Sequence, residues 1–259
     1  MDRRSFLLKS ASLLAGSLFG LNTFSRAFAF EQYENHNVLR PSIALIIDDI
    51  GYSFTRCRQF LELDVPITYS ILPRLPKSHR LAMEIHSAGH EIMLHQPMEP
   101  HSRSIDPGPG ALHVGDRSER IVKTMEYNIS EMFLASGVNN HMGSRFTECC
   151  SGMNEALGVV KERGLFFIDS LTSSRSQAYS VARELGMVTA RRNVCVDYGG
   201  DESTVLSQLR RLQTQAMRDG HAVGIGHPFP ATARAVKHFL RHVKHDNVSM
   251  VHVSNVLYT

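Results

Sequence analysis

Short apolar runs alternate with helical periodicity over most of the chain. The first run, residues 42–47, is apolar after its opening serine, which is typical of a strand that is covered on both faces. Further short runs predict strands at residues 67–72, 91–95, 138–141, 165–168, 187–190, 222–225 and 249–253.

Between these runs, apolar residues recur at helical spacing. The two clearest sets are Ile121, Met125, Ile129 and Met132, and Val205, Leu209, Leu212 and Ala216. Glycines that favour the left-handed end of a helix fall between helix patterns and following strands, at positions 89, 164, 186 and 220. This alternation predicts a mainly parallel α/β sheet, either a barrel or a doubly wound sheet.

Polar residues that can bind a metal or transfer a proton end several predicted strands. They are Asp48, Asp49, His95, His141, Asp169 and His227. Each has a simple structural explanation, because a strand-end Asp often caps the next helix and a lone His is often only hydrogen-bonded. In parallel α/β folds, however, functional sites form at the carboxyl ends of strands. The repetition therefore favours a site at this end of the sheet.

Asp48 and Asp49 form the most informative pair. Strand alternation predicts that their side chains leave in different directions, so that one can coordinate a cation while the other accepts a proton from water. The alternative is that one of them caps a helix beginning near Ser53, but both positions cannot be the cap.

Four motifs, taken together, resemble one known family. They are IIDDIG at 46–51, HQPMEP at 95–100, NHMGS at 140–144 and GIGHP at 224–228. In this order they resemble the divergent polysaccharide deacetylase family, a distant branch of the NodB-type carbohydrate esterases. The resemblance covers residues 41–259. It implies a distorted (β/α) barrel and metal-dependent deacetylation of N- or O-acetylated sugars.

The resemblance also implies roles for individual residues. In NodB-type enzymes, the first Asp of the pair is the general base, and the second binds the metal beside two His residues. By this comparison the general base is Asp48, two metal ligands are Asp49 and His95, the general acid is His227, and an acidic residue that orients other catalytic groups is Asp169.

The second histidine ligand is where this sequence departs from the family pattern. The usual motif has a His four residues after the first, and Glu99 stands there. We expect His141 to supply the missing imidazole, with Glu99 and His101 as alternatives. Two histidines and one carboxylate suit a catalytic zinc and tolerate other divalent ions. Attack of water on the acetyl carbonyl would form a negatively charged oxygen, the oxyanion. Asn140 and Arg145 are candidate hydrogen-bond donors to it.

The net charge is concentrated near the start of the chain. The 259 residues carry 28 basic and 25 acidic side chains, a net charge of +3. Residues 1–29 contain four of the basic and one of the acidic side chains, so the remainder carries 24 of each. This balance removes the support for nucleic-acid binding that the overall charge offered.

Residues 1–29 have the features of an export signal. Arg3 and Arg4 precede an apolar stretch, which resembles the twin-arginine export consensus, and Ala27 and Ala29 are small residues suited to cleavage. The stretch is shorter than the ~20 residues that span a bilayer, so we expect no stable membrane span in the mature chain, with an uncleaved anchor as the alternative. The expected organisation is a signal at 1–29, a linker at 30–40 and a catalytic domain at 41–259, in an exported, periplasmic protein.

The function implied is removal of acetyl groups from cell-envelope or extracellular glycans. Two alternatives fit the same residues: a protein of this fold that binds a glycan or an envelope partner without turnover, and a zinc-dependent hydrolase of another amide or ester. Other classes lack their signals, because the sequence has neither a Gly-x-Ser-x-Gly elbow nor a phosphate-binding glycine loop. Four cysteines are too few for a disulfide-built scaffold.

Overall fold

Parallel strands form the centre of the fold. The computed structural model describes residues 40–243 and 247–257, and within them nine strands join in one sheet whose pairings are all parallel. The strands are β1 (Ser42–Ile50), β2 (Thr68–Ile71), β3 (Glu91–Met98), β4 (Gly137–Met142), β5 (Phe166–Asp169), β6 (Thr189–Arg191), β7 (Val194–Cys195), β8 (His221–Gly226) and β9 (Ser249–Val251).

Helices separate most of these strands along the chain. They are α1 (Phe54–Leu61), α2 (Ser78–Ser87), α3 (Ser118–Glu131), α4 (Cys150–Glu162), α5 (Ala178–Glu184), α6 (Glu202–Asp219), α7 (Pro230–Val243) and α8 (Val253–Leu257), with a short 3-10 turn at Phe146–Glu148. Among the described residues, no helix is long and apolar enough to cross a membrane.

The sheet closes into a distorted barrel through β6 and β7. Its strand order is β6-β5-β4-β3-β2-β1-β8-β7, with β9 beside the start of β1. β6 pairs with β5 and β7 pairs with β8, yet only Arg192 and Asn193 separate β6 from β7. Because each residue extends a chain by at most about 3.6 Å, the two edges of the sheet lie close together. The structure therefore has the barrel implied by the family resemblance, not the doubly wound sheet.

Apolar clusters pack on both faces of the curled sheet. The larger cluster combines strand residues such as Ile47 with helix residues such as Phe60, so it lies between the barrel and the helices. The smaller cluster contains residues such as Ile46 and, from α8, Val253 and Val256. Successive strand residues point to opposite faces, so this smaller cluster fills the barrel interior.

The inner face of several strands changes from apolar to polar near the carboxyl end. On β1, Ala44 and Ile46 are inner-cluster residues, and Asp48 is the next residue on that face. On β3, Met93 is followed in the same way by His95. The interior is therefore apolar at depth and polar at one mouth, which is where a site can form.

The predicted strands agree with the observed strands to within a few residues. The largest extensions are of three residues, in β1, which continues to Ile50, and in β3, which continues past His95 to Met98 and includes Pro97. The Pro97 carbonyl accepts a hydrogen bond from Leu112, and Met98 bridges to Leu112. These contacts hold the start of the loop that follows β3. β7 was not predicted, because two residues are too few to show a pattern.

Candidate active site

A bulge at the end of β1 places two carboxylates in the same site. Between Ile47 and Ile50, β1 contains one more residue than the paired stretch of β2, and Asp49 has a left-handed backbone with φ of 57°. The bulge turns Asp49 back toward the inner face. Asp48 Oδ2 and Asp49 Oδ1 lie 3.6 and 3.2 Å from Nε2 of His95. The two carboxylates do not diverge, so the prediction from strict alternation was wrong.

Neither carboxylate caps the following helix. The cap of α1 is Ser53, whose side chain accepts a hydrogen bond from the backbone nitrogen of Arg56 at 3.3 Å. Asp48 and Asp49 are therefore available for chemistry, and the capping alternative is excluded.

Asp49, His95 and His141 form a three-residue cluster of potential metal ligands. Asp49 Oδ1 lies 2.9 Å from Nδ1 of His141 and 3.2 Å from Nε2 of His95, and these two nitrogens are 3.2 Å apart. Among the described residues, this is the group of His, Cys, Asp and Glu side chains whose ligand atoms converge closely enough to hold an ion. The cluster joins the ends of β1, β3 and β4.

The donor set fits a divalent cation. A tetrahedral ion with ligands at about 2.0–2.1 Å separates those ligands by about 3.3 Å, close to the distances here. Asp49 Oδ1 is buried without a well-directed hydrogen bond. Burial alone would lower the pKa of His95, but the charges of Asp48 and Asp49 raise it overall, so the site favours positive charge. Three protein ligands leave a position open, as in catalytic zinc sites.

The neighbouring imidazoles of His141 and His95 lower the pKa of the Asp49 carboxyl. Burial alone would raise it, but the contacts with His141 and His95 and the charges of these rings outweigh that effect. Asp49 is therefore ionised at neutral pH, as a metal ligand must be.

Asn139 connects the first Asp to a histidine of the cluster. Its Nδ2 donates to Asp48 Oδ1 at 2.8 Å, and its Oδ1 lies 2.7 Å from Nδ1 of His95. Ser70 also donates to this Oδ1. Because an amide oxygen only accepts, His95 carries its hydrogen on Nδ1 and presents the Nε2 lone pair to the cluster.

Burial raises the pKa of Asp48. The charges of His95 and His227 and the hydrogen bond from Asn139 oppose this effect without cancelling it. Asp48 is thus a buried carboxyl whose Oδ1 is occupied by Asn139, with Oδ2 on the side of the histidine cluster. A carboxylate with a raised pKa is suited to accepting a proton.

His227 follows β8 and is held by Asp197. Its Nδ1 lies 2.9 Å from Asp197 Oδ1, and its backbone nitrogen donates to Asp197 Oδ2 at 2.6 Å, which also accepts from Thr232. Burial alone lowers the pKa of His227, but Asp197 and the charges of Asp48 and Asp49 raise it to about 9. His227 therefore keeps its proton at neutral pH.

Asp169 is buried at the end of β5 in a different set of contacts. Its Oδ1 accepts from the backbone nitrogen of Leu171 at 2.8 Å, and its Oδ2 accepts from Ser176 at 2.9 Å. These bonds hold the loop between β5 and α5. Among the described residues, the carboxylate that contacts the His227 ring is Asp197. The orienting role expected of Asp169 therefore stays a prediction.

Glu99, one of the alternative ligands, is engaged outside the cluster. Its Oε1 lies 2.6 Å from Nη1 of Arg145, and its Oε2 accepts from the backbone nitrogen of Val114 at 2.7 Å. Glu99 thereby ties two loops together, and His141 instead completes the cluster. The guanidinium of Arg145 is turned toward this carboxylate.

Asn140 and His101 also make contacts away from the cluster. The Asn140 side chain donates to the Met142 carbonyl at 2.8 Å and accepts from the Ser170 backbone nitrogen at 2.9 Å. His101 Nε2 lies 3.0 Å from a carboxylate oxygen of Glu148. The roles predicted for Asn140 and Arg145 at the oxyanion, and for His101 as a ligand, remain predictions.

Two residues of the site were absent from the sequence prediction. Asn139 lies two positions before His141 on the same face of β4, so strand alternation offered a signal for it. Asp197 follows the two-residue β7, where no periodicity marks a strand end. Its pairing with His227 depends on the contact between β7 and β8.

Several solved structures share this fold. The uncharacterized protein ATU2773 from Agrobacterium tumefaciens has a TM-score of 0.80 and 24% identity over 84% of this chain and 89% of that chain. The catalytic domain of a peptidoglycan N-acetylglucosamine deacetylase from Eubacterium rectale has a TM-score of 0.55 and 14% identity, over 83% and 89% of the two chains. BA3943, a CE4 family pseudoenzyme from Bacillus anthracis, has a TM-score of 0.53 and 16% identity, over 84% and 66%.

Sequence comparison establishes the family. The uncharacterized protein YibQ of Escherichia coli is 31% identical over 226 residues, which cover 85% of this chain and 68% of YibQ. The model of the divergent polysaccharide deacetylase family matches residues 45–257, which include Asp48, Asp49, His95, His141 and His227. The chain therefore belongs to the divergent polysaccharide deacetylase family.

Proposed function

We propose that this protein is a metal-dependent carbohydrate deacetylase that acts on N- or O-acetylated glycans of the cell envelope or the extracellular space. The observation that carries the proposal is the convergence of Asp49, His95 and His141 at one barrel mouth, with Asp48 against the same imidazole. His227, charged and held by Asp197, supplies the acid that an acyl transfer needs.

Asp49, His95 and His141 would hold the cation, with zinc as the expected ion. When bound, such an ion supplies Lewis acidity to the acetyl carbonyl and lowers the pKa of water. Asn139 keeps the Nε2 lone pair of His95 directed at the cluster, because it accepts the Nδ1 hydrogen.

Asp48 acts as the general base. Its Oδ1 is held by Asn139, so Oδ2 is the atom that takes the proton from the attacking water. Burial raises its pKa, which increases its affinity for that proton.

His227 acts as the general acid. Its Nδ1 faces Asp197, which leaves Nε2 to donate a proton to the departing amine or alkoxide as the bond to the acetyl carbon breaks. The pKa of about 9 keeps this proton in place at neutral pH. Asp48 holds the proton from water, and His227 gives one to the leaving group.

The test joins metal analysis of the purified protein with acetate release from acetylated chitooligosaccharides, O-acetylated glycans and peptidoglycan fragments. We expect one divalent ion per chain, with the ion and turnover both lost in Asp49→Ala and His141→Ala. Asp48→Asn should keep the ion and lose turnover. His101→Ala removes a histidine outside the cluster and should retain both.

Failure to retain any ion, after supply with zinc, manganese, cobalt and nickel in turn, would exclude the metal-dependent mechanism. Ion bound with no acetate released would point to one of the two other functions. A zinc-dependent hydrolase of a different amide or ester would then release another acid or amine.

A glycan-binding protein without turnover is the main competing function. The observation that favours it is Glu99, which occupies the position of the second ligand His in NodB-type motifs. Against it stands the cluster that His141 forms with Asp49 and His95, while Glu99 pairs with Arg145. Binding of an acetylated oligosaccharide by metal-loaded protein, without acetate release from any of the glycans tested, would favour this alternative.

We further propose that the protein is exported to the periplasm through the twin-arginine route. The support is the sequence of residues 1–29, which lie outside the described residues. Replacing Arg3 and Arg4 with lysine should leave the protein in the cytoplasm, as measured by cell fractionation. Undiminished export of this variant would contradict the proposal.

A further inference from the structure

A cavity of about 710 Å³ lies between the loop that follows β2 and the first turns of α3. None of the proposed catalytic or metal-binding residues lines it. We call it the α3 cleft, and its lining residues are Arg74, Gly115, Asp116, Arg117, Glu119, Arg120, Lys123, Thr124 and Tyr127.

The lining of the α3 cleft contains four cationic and two anionic side chains, so its net charge is positive. Arg120 lies 3.3 Å from Asp116, and Lys123 lies 2.7 Å from Glu119, so both carboxylates of the cleft are paired. Arg74 and Arg117 form no ion pair with another described residue. The cleft therefore presents two guanidinium groups to a ligand.

Arg74 is held rigidly although it is exposed. Its Nε donates to Asn128 Oδ1 at 2.7 Å, and its guanidinium lies 4.5 Å from the ring centre of Tyr127. Asn128 is buried and donates in turn to Gln96 at 2.7 Å and to the Gly110 carbonyl at 2.9 Å. Since Nε is used, both terminal nitrogens of Arg74 remain for a ligand.

The backbone at Arg74 is also unusual. Its φ is 58°, a left-handed conformation that side-chain-bearing residues seldom adopt and that costs energy. A Cβ added to Gly110 would collide with Arg74 Nε and with the Asn128 side chain, so the glycine is needed for this close approach. Several independent contacts thus fix the guanidinium in one orientation before any ligand binds.

The cleft lies on the side of the barrel that carries the proposed catalytic site. Arg74 lies in the loop after β2, and Gly110 and Gly115 lie in the loop after β3. These are carboxyl ends of parallel strands, as are the ends that carry Asp49 and His95. A polymer bound at the catalytic site can therefore extend toward the cleft.

We propose that the α3 cleft is a subsite for an oxyanion, a carboxylate or phosphate group carried on the glycan. A rigid guanidinium with two free terminal nitrogens matches the two oxygens of such a group. The proposal rests on the proposed deacetylase function and narrows its substrate class to acidic glycans.

The test is calorimetric titration of the full chain with two tetrasaccharides in a phosphate-free buffer of low ionic strength. One contains alternating glucuronate and N-acetylglucosamine, and the other is neutral tetra-N-acetylchitotetraose. We expect about tenfold tighter binding of the acidic probe, as a charge-assisted contact provides. The preference should fall as salt is added, because exposed charges are screened.

Arg74→Gln and Arg117→Gln should each reduce the preference for the acidic probe. Arg211→Gln, which removes an exposed arginine of α6 outside the cleft, should retain it. Arg117 is exposed at the start of α3, so its variant tests the proposal even if Arg74→Gln perturbs the loop. Equal affinity of the wild type for both probes, or an unchanged preference in both variants, would overturn the proposal.

A competition experiment shows whether the subsite prefers a carboxylate or a phosphate group. N-acetylglucosamine 1-phosphate and glucuronate are each used to displace the acidic tetrasaccharide, and the stronger competitor identifies the group. Displacement by neither contradicts the subsite. The titrations are repeated with Asp49→Ala, which should keep the preference for the acidic probe. Absence of acetate release from the metal-loaded wild type, with the preference for the acidic probe intact, would refute the deacetylase function and not the subsite.

Discussion

Asn139 shows how one side chain can serve two parts of a site. Its amide holds Oδ1 of the proposed base Asp48 and also accepts from the ligand candidate His95. An amide can do this because it combines a donor with an acceptor. An ionised carboxylate lacks the donor, and an aliphatic side chain lacks both the donor and the acceptor.

We predict that Asn139→Asp lowers kcat/KM for deacetylation by about 10–100-fold, the usual cost of losing a residue that orients a ligand. The new carboxylate cannot donate to Asp48 and places a further negative charge beside it. Steady-state kinetics and metal content measure the effect. The exposed Asn154→Asp on α4 is the control for the added charge. Wild-type kinetics in Asn139→Asp would show that the bridge has no catalytic role.

The pairing of His227 with Asp197 leads to a prediction about how activity depends on pH. His227 acts as an acid only while protonated, so activity should decline as pH rises through its pKa of about 9. Asp197→Asn removes the strongest influence that raises this pKa, so the decline should begin at lower pH. The pH profile of kcat/KM, with an NMR titration of His227, checks it. An unchanged basic limb in Asp197→Asn would remove His227 from the role of acid.

Among the elements, β1 and β4 show how local backbone shape places reactive groups. Asp49 in the bulge of β1 and Met142 at the end of β4 both have left-handed backbones, with φ of 57° and 52°. Such strain persists where the surrounding structure enforces it, and it accumulates at functional sites. In β1 the result is that two adjacent residues contact the same histidine.

Close packing of β4 on β5 predicts a defect in one glycine variant. Gly137 pairs directly with Phe166, and a Cβ at Gly137 would overlap the phenylalanine ring. We expect Gly137→Ala to lower the free energy of unfolding by about 1–3 kcal/mol, as overpacking does, measured by urea denaturation. Since β4 carries Asn139 and His141, metal affinity should fall as well.

Gly158→Ala is the matched control for this prediction. Gly158 lies within α4, and an added Cβ there meets nothing within 4 Å. We expect this variant to gain about 0.5–1 kcal/mol, because alanine suits a helix better than glycine. Equal stability of the two variants would contradict the packing argument.

The barrel as a whole brings the site together from distant parts of the chain. Asp49, His95 and His141 come from three strands, and His227 follows a fourth. Because binding of an ion to the folded state stabilises that state, the metal site and the fold are thermodynamically linked.

We predict that zinc at 100 times its Kd raises the melting temperature by about 5–10 °C, from a gain of about 2.7 kcal/mol. The shift should vanish in Asp49→Ala and His141→Ala and persist in His238→Ala, which removes an exposed histidine of α7. Calorimetric scans with and without a chelator measure it. A shift of the same size in all variants would place the ion elsewhere.

The fold and part of the site were predictable from the chain alone. Strand and helix patterns depend on neighbouring residues, so their positions were predicted to within a few residues. The sequence placed Asp49, His95 and His141 near the carboxyl ends of β1, β3 and β4, and their side chains converge in the structure, because parallel strands end at the same side of a sheet. The motifs themselves indicated the family that the comparisons establish.

Other parts of the site depend on contacts between distant segments. The sequence by itself determined which residues are polar at the strand ends, because that follows from local alternation. Only the tertiary structure decided that a bulge turns Asp49 inward, that Glu99 pairs with Arg145, and that Asp197 holds His227. Each of these contacts is set by strand register and by the curl of the sheet, which join residues far apart in the chain and leave no periodic signal in the sequence.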